Sequence, residues 1–202
     1  MHKKYQAVLF AIVLLILDQI VKIYIKTNMT LGEEFNVLGS WFRIHFIENN
    51  GMAFGMELGG KTGKIFLTLF RIVAVCGIGW YISTLIKEKA PKGVIISFVL
   101  IFAGAMGNII DCLFYGIIFN DSMGQIATLL PEMGGYSSLL HGKVVDMLYF
   151  PLYEGFLPDW FPFWDNKHVI FFRPIFNIAD SYISIGVFMI ILFYRRFFAI
   201  KR

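Results

Sequence analysis

Two aspartates, Asp146 and Asp180, combine the residue type and the setting that acid–base chemistry needs. Asp180 stands in Phe176-Asn177-Ile178-Ala179-Asp180-Ser181-Tyr182-Ile183, at the opening of the last long apolar run of the chain. A carboxylate at the mouth of a membrane-spanning segment is costly to keep, so it is a functional suspect by default. Asp146 lies 34 residues earlier, in Val144-Val145-Asp146-Met147. Two carboxylates held close resist double ionisation. One keeps a proton, and the pair can act as acid and base around a single water. That is the logic of aspartic proteolysis, which uses neither a metal nor a nucleophilic side chain. Asn177 followed three residues later by an acid also has the form of a helix capping box. The two readings are compatible, because a helix N-terminus favours an ionised carboxylate.

Other chemistries have weaker support. There is no Gly-x-Ser-x-Gly elbow, and no cysteine sits beside a histidine in a polar stretch. His2, His45, His141 and His168 are scattered without metal-ligand spacing, so no metal or other cofactor is expected. Cys76 and Cys112 both fall inside apolar runs and read as buried small apolar residues. No basic run points to nucleic acid.

The elements that must position these residues are membrane spans. Of 202 residues, 57% are hydrophobic and only 16% charged, with mean hydropathy +0.68, whereas a soluble domain averages about a quarter charged residues. Four apolar runs, about 5–25, 65–86, 93–119 and 178–198, have the length of transmembrane helices. Asp18 and Lys22 share one face of the first, acid first, the favourable order for a pair. They read more readily as a pair that fixes helix packing than as direct chemistry. Arg71 sits in the second, near its outer end. The third carries Gly104, Ala105 and Gly107, small residues that permit close helix approach, and then Asn108 and Asp111 on one face.

Between the spans lie two polar segments, about 27–64 and 120–177. Residues 38–47 alternate as a strand does, and Asn49-Asn50-Gly51 is a turn signal. Trp160-Phe161-Pro162-Phe163-Trp164 suggests a surface resting among lipid headgroups. The ends of the chain and the turn around Lys89 carry nine Lys and Arg with one acid, leaving nine basic and thirteen acidic residues for the rest. The positive-inside rule then puts both termini and that turn in the cytoplasm, with the two polar segments outside. Asp18, Asn108, Asp111, Asp146 and Asp180 all converge on the outer side. The expected fold is an α-helical membrane protein: four transmembrane helices, a small extracytoplasmic β-sheet and a loop-rich outer segment, in one integral domain. Taken alone, these residues also admit a proton-coupled transporter using Asp18, Asp111 and Asp180 as a relay, or an assembly factor whose polar residues join helices. The lack of internal repeats and the large aromatic outer segment weigh against the transporter.

Five short motifs, in chain order, resemble those of the lipoprotein signal peptidases, or signal peptidase II. Asp18-Gln19-Ile20-Val21-Lys22 resembles the family's Asp-x-x-x-Lys, and Asn49-Asn50-Gly51-Met52-Ala53-Phe54 its Asn-x-Gly-Ala-Ala-Phe. Gly104-Ala105-Met106-Gly107-Asn108-Ile109-Ile110-Asp111 is similar to Gly-x-x-Gly-Asn-x-x-Asp-Arg, and the stretches around Asp146 and Asp180 resemble the two catalytic motifs. The resemblance implies a membrane aspartic endopeptidase of the bacterial inner membrane. It would cut diacylglyceryl-modified prolipoproteins on the N-terminal side of the lipidated cysteine. Asp146 and Asp180 would be catalytic, with Asn49, Gly51, Asn108, Asn177, Asp18, Lys22 and Asp111 ordering the site or the bound peptide. The implied partners are lipid-modified precursors and membrane lipids, and a monomer is expected. Three departures stand out. Cys112 replaces the Arg after the third motif, Met52 replaces a small residue, and residues 120–174 exceed what the family core needs.

Overall fold

Spacing along the first helix separates two faces. In α1 (His2–Lys26), Ala11, Leu14, Asp18, Lys22 and Ile25 are buried, while Leu9, Ile12, Ile16 and Ile20 are exposed. An exposed apolar stripe of that length belongs against lipid. The computed structural model describes residues 2–51, 60–156 and 168–199. Four helical stretches in it are long and apolar enough to cross a bilayer: Lys3–Asn28, Thr62–Lys87, Lys92–Ile118 and Ile178–Phe198. The second is α2 (Gly60–Lys87). The third runs from α3 (Lys92–Ile110) through a π turn at Asp111–Tyr115 into the short α4 (Gly116–Ile118). The fourth runs from α5 (Ile178–Met189) through a π turn at Ile190–Tyr194 into α6 (Arg195–Ala199). The fold is that of a helical membrane protein with small antiparallel sheets.

The third span is the hub. Half of its most apolar window is buried inside the protein, against 28% for the first span and 11% for the second and fourth. It packs on α1, α2 and α5. The small residues make this possible. A methyl group on Gly104 would run into the Ala179 carbonyl, and one on Gly107 would lie 2.6 Å from Asp18 Oδ2 and 3.2 Å from Ala179 Cβ. Backbones thus approach where side chains would otherwise separate them.

The strands come from the two connections at one end of the bundle, opposite the turn between α2 and α3. β1 (Glu34–Leu38), β2 (Phe42–Asn49), β3 (Val144–Tyr149) and β6 (Ile175–Phe176) form one antiparallel sheet in the order β1-β2-β3-β6. β4 (Tyr153–Phe156) and β5 (His168–Phe171) make a separate ribbon. The alternating stretch 38–47 is therefore not one strand. Gly39, at φ +54°, and Ser40 turn the chain between β1 and β2. Ile25, Phe46, Tyr115, Phe119, Val145 and Met147 form the core beneath the sheet.

The two cysteines differ. Cys112 is buried as expected, but Cys76 is exposed, because it falls on the outward side of α2 with Val73. The aromatic stretch Trp160–Trp164 and Met52 lie outside the described residues.

Candidate active site

Strand periodicity aims Asp146. Along β3, Val145 and Met147 point into the core, so Asp146 between them faces the other way. Asn49 pairs with Val144 across β2 and β3, which makes it the diagonal neighbour of Asp146. Its amide Nδ2 donates to Asp146 Oδ2. On the other edge of β3, Leu148 pairs with Phe176 of β6. The next residue is Asn177, the N-cap of α5, and its Nδ2 donates to Asp146 Oδ1 at 2.7 Å. This strand pairing closes the 34-residue gap between the two acids.

The capping box read from sequence is present. Asp180 N–H donates to Asn177 Oδ1 at 2.9 Å, and Asn177 N–H to Asp180 Oδ2 at 3.3 Å. Asn108 from α3 completes the link. Its Nδ2 donates to Asp180 Oδ1 at 2.8 Å, while its Oδ1 accepts from Lys22 Nζ at 2.9 Å and from Asn177 Nδ2 at 3.0 Å. Asn177 therefore touches both carboxylates and Asn108, and all three are held in one hydrogen-bonded chain.

Beneath it lies a buried ion triad. Lys22 bridges Asp18 at 3.0 Å and Asp111 at 2.8 Å, with all three side chains at most 1% exposed. The two acids do more than neutralise the lysine. Asp18 Oδ1 accepts the Ala179 N–H at 3.0 Å, and Asp111 Oδ2 accepts the Val145 N–H at 3.4 Å. Ala179 and Val145 immediately precede Asp180 and Asp146. The triad thus fixes the main chain one residue upstream of each acid.

Asp18, Lys22, Asn49, Asn108, Asp111, Asp146, Asn177 and Asp180 all fall in this cluster, and Gly51 lies beside it. Its φ of +83° suits a residue without Cβ, and its N–H donates to Asn49 Oδ1. Sequence reasoning passed over Gln19, whose Nε2 donates to Asp18 at 3.1 Å and to Asp111 at 2.9 Å, and whose Oε1 accepts from Tyr115 at 3.1 Å. The available signal was an amide between Asp18 and Lys22 in an otherwise apolar span. Also unforeseen is a buried pair between Lys26 and Glu48 that involves Ser122.

The two central acids differ in setting. Asp146 is 3% exposed, while Asp180 is only partly buried. Burial first, and then the charge of Asp180, push the Asp146 carboxyl up to about 7, against hydrogen bonds from Asn177 and Asn49 and the charge of Lys22. Among the described residues no three His, Cys, Asp or Glu side chains converge as metal ligands. What the arrangement offers is one buried carboxyl whose burial favours the protonated form, and a second, more open carboxyl linked to it through Asn177.

The fold and site define an integral membrane bundle with two acids drawn together at its sheet end. A family model for signal peptidase (SPase) II matches residues 10–196. The lipoprotein signal peptidase of Porphyromonas gingivalis is 50% identical over 186 residues, covering 92% of this chain and 80% of that one. That of Amoebophilus asiaticus is 37% identical over 185 residues, covering 90% and 74%. Two solved structures of bacterial membrane enzymes superpose on the fold. One has TM-score 0.60 and 26% identity, covering 98% of this chain and 92% of its own. The other has TM-score 0.58 and 28% identity, covering 93% and 90%. The chain belongs to the signal peptidase II family and is a membrane protease.

Proposed function

We propose that Asp146 and Asp180 are the catalytic dyad of an enzyme that removes signal peptides from diacylglyceryl-modified prolipoproteins, cutting on the N-terminal side of the lipidated cysteine. The observation that carries this reading is the chain of amides, Asn49, Asn177 and Asn108, that holds the two carboxylates together at the mouth of the bundle.

Asp180 takes a proton from the attacking water as its oxygen bonds to the scissile carbonyl carbon. Asp146 gives its proton to the carbonyl oxygen, so a neutral gem-diol forms with the dyad's protonation exchanged. Asp180 then protonates the departing amide nitrogen, the C–N bond breaks, and a gem-diol hydroxyl returns its proton to Asp146. Lys22, Asp18 and Asp111 hold the frame, and Asn49, Gly51, Asn108 and Asn177 order the dyad and the bound peptide. The sheet end of the bundle faces outward from the bacterial inner membrane, and both termini are cytoplasmic. The acyl chains then anchor the substrate in the same leaflet as the site, so binding brings the scissile bond and the dyad together. The reading takes the enzyme as a monomer whose partners are precursor proteins and membrane lipids.

Lipidated and unlipidated precursor peptides, incubated with the purified protein in detergent, test this. Cleavage is expected only for the lipidated form. Asp146→Asn and Asp180→Asn should each abolish it, and the double variant should be little worse, as for residues acting as one device. A well-folded single variant that still cuts at a substantial fraction of the normal rate would overturn the dyad.

A further inference from the structure

Arg71 is a cation inside a span whose other face is given to lipid. On α2, Phe66, Leu69, Phe70 and Val73 are exposed, while Lys64, Thr68 and Val75 are buried. Arg71 continues this inner face, seven residues or two turns from Lys64. Both cations reach the same short turn. Lys64 Nζ donates to Asn50 Oδ1 and to the His141 carbonyl, each at 3.0 Å. Arg71 Nη2 donates to the Gly51 carbonyl.

The Gly51 backbone is held on both sides of its Cα. Its carbonyl accepts from Arg71, and its N–H donates to Asn49 Oδ1. The same Asn49 amide uses its Nδ2 on Asp146. A side chain at position 51 would fill the space the guanidinium occupies: an added Cβ would lie 2.6 Å from Arg71 Nη1 and 3.4 Å from Cys112 Sγ. Cys112 forms the wall of this space, and its small thiol leaves room for a guanidinium arriving from α2. An arginine at position 112 would compete for the same place.

We propose that Arg71 is a positioning residue for the peptidase reaction, fixing the Gly51 peptide and, through Asn49, the orientation of the Asp146 carboxyl. The inference rests on the reading of Asp146 and Asp180 as the dyad. An isolated guanidinium at this depth, away from its carbonyl, would be poorly solvated, so the contact is favoured in the folded protein. The donor Asn49 offers to Asp146 is then aimed before substrate arrives, which is the arrangement that catalysis by preorganised groups requires. Besides Asn49 of β2, the groups around Asp146 are Asp180 and Asn177 at the start of α5, Lys22 of α1, and Asp111 of the third span, which binds the neighbouring N–H. Among the described residues no hydrogen bond or ion pair joins these groups to Arg71, whose bond goes to the Gly51 carbonyl, so its effect on Asp146 runs through the turn.

The test is steady-state kinetics on the full-length protein with a lipidated precursor peptide, across pH. In Arg71→Gln, kcat should fall about tenfold or more, the scale that small misplacement of a catalytic group produces. KM should stay within about twofold, since the change is in the dyad and not in lipid anchoring. The hydrogen bond from Asn49 favours the charged form of Asp146, so loosening it should move the alkaline limb of the rate profile to higher pH. Arg71→Lys, which keeps the charge and a donor, should fall between the two. The cycle with Asn49→Ala isolates the path: the double variant should be no slower than Asn49→Ala alone. Wild-type kcat and pH profile in folded Arg71→Gln would overturn the proposal, as would full additivity with Asn49→Ala. Should Arg71→Gln not fold, the same cycle run with Arg71→Lys carries the same two outcomes. Asp146→Asn in the same assay separates the layers: if it keeps turnover, the dyad reading fails, whereas a dead Asp146→Asn beside an unaltered Arg71→Gln defeats this inference alone.

Discussion

Lys22 shows how one side chain can set a whole site. It bridges Asp18 and Asp111, and those two acids hold the N–H groups that precede Asp180 and Asp146. Removing it leaves two buried carboxylates without their counter-ion, which destabilises a protein by about 3–5 kcal/mol. Lys22→Met is therefore expected to lower the yield of folded protein and its melting temperature in detergent, even though methionine fills much the same volume. Asp146 carries a different signature. Its folded carboxyl sits near 7 against an ordinary 3.8, so the folded state favours the protonated form. The stability this gives is complete below the unfolded value and is lost as pH rises through about 7. Asp146→Asn cannot ionise and escapes that loss. Its melting temperature relative to the native protein should rise between pH 4 and pH 8, and a gap that shrinks over this range would show that the carboxyl is not held protonated. If Asp146 and Asp180 are the dyad proposed above, the alkaline limb of kcat/KM should fall near pH 7, reported by the pair as a unit.

At the level of elements, the third span does the most. Its glycines let α5 and α1 close on it, and its π turn begins at Asp111, where the extra residue re-aims side chains. Gly107→Leu would push Asp18 away from α3 and separate Ala179 from it. Overpacking of this kind costs about 1–3 kcal/mol. Here it should also lower kcat, because Asp18 holds the start of α5. A variant with normal stability and normal turnover would mean that the helices are not held as closely as described. The pairing of β3 with β6 is the second decisive element, since it delivers Asn177 to Asp146.

For the whole molecule, the distribution of charge supports the proposed orientation. Nine basic residues against one acid at the chain ends and the Lys89 turn favour the cytoplasmic side. All described strands lie at the opposite end. Cysteines introduced by Asn36→Cys and Lys89→Cys, in a background without Cys76 and Cys112, make the test in intact cells. A membrane-impermeant reagent applied from outside should label the first and spare the second. Labelling at position 89 would reverse the topology.

The amino-acid sequence by itself determined the four spans, because uninterrupted apolar runs of bilayer length have few alternatives, and it determined the capping box at Asn177, because that motif is local. The Asp18–Lys22 pair was legible for the same reason: four residues apart on a helix is a contact. Fine boundaries were less so. One alternating stretch proved to be two strands around Gly39, and Cys76 proved to face outward, because hydropathy does not distinguish a lipid-facing side from a packed one. Only the tertiary structure decided that Asp146 and Asp180 stand beside a shared asparagine. Their proximity depends on strand register between β3 and β6, on helix approach across Gly104 and Gly107, and on Lys22 reaching Asp111 from another helix. Each is a contact between residues distant in sequence, and no local preference encodes a partner of that kind.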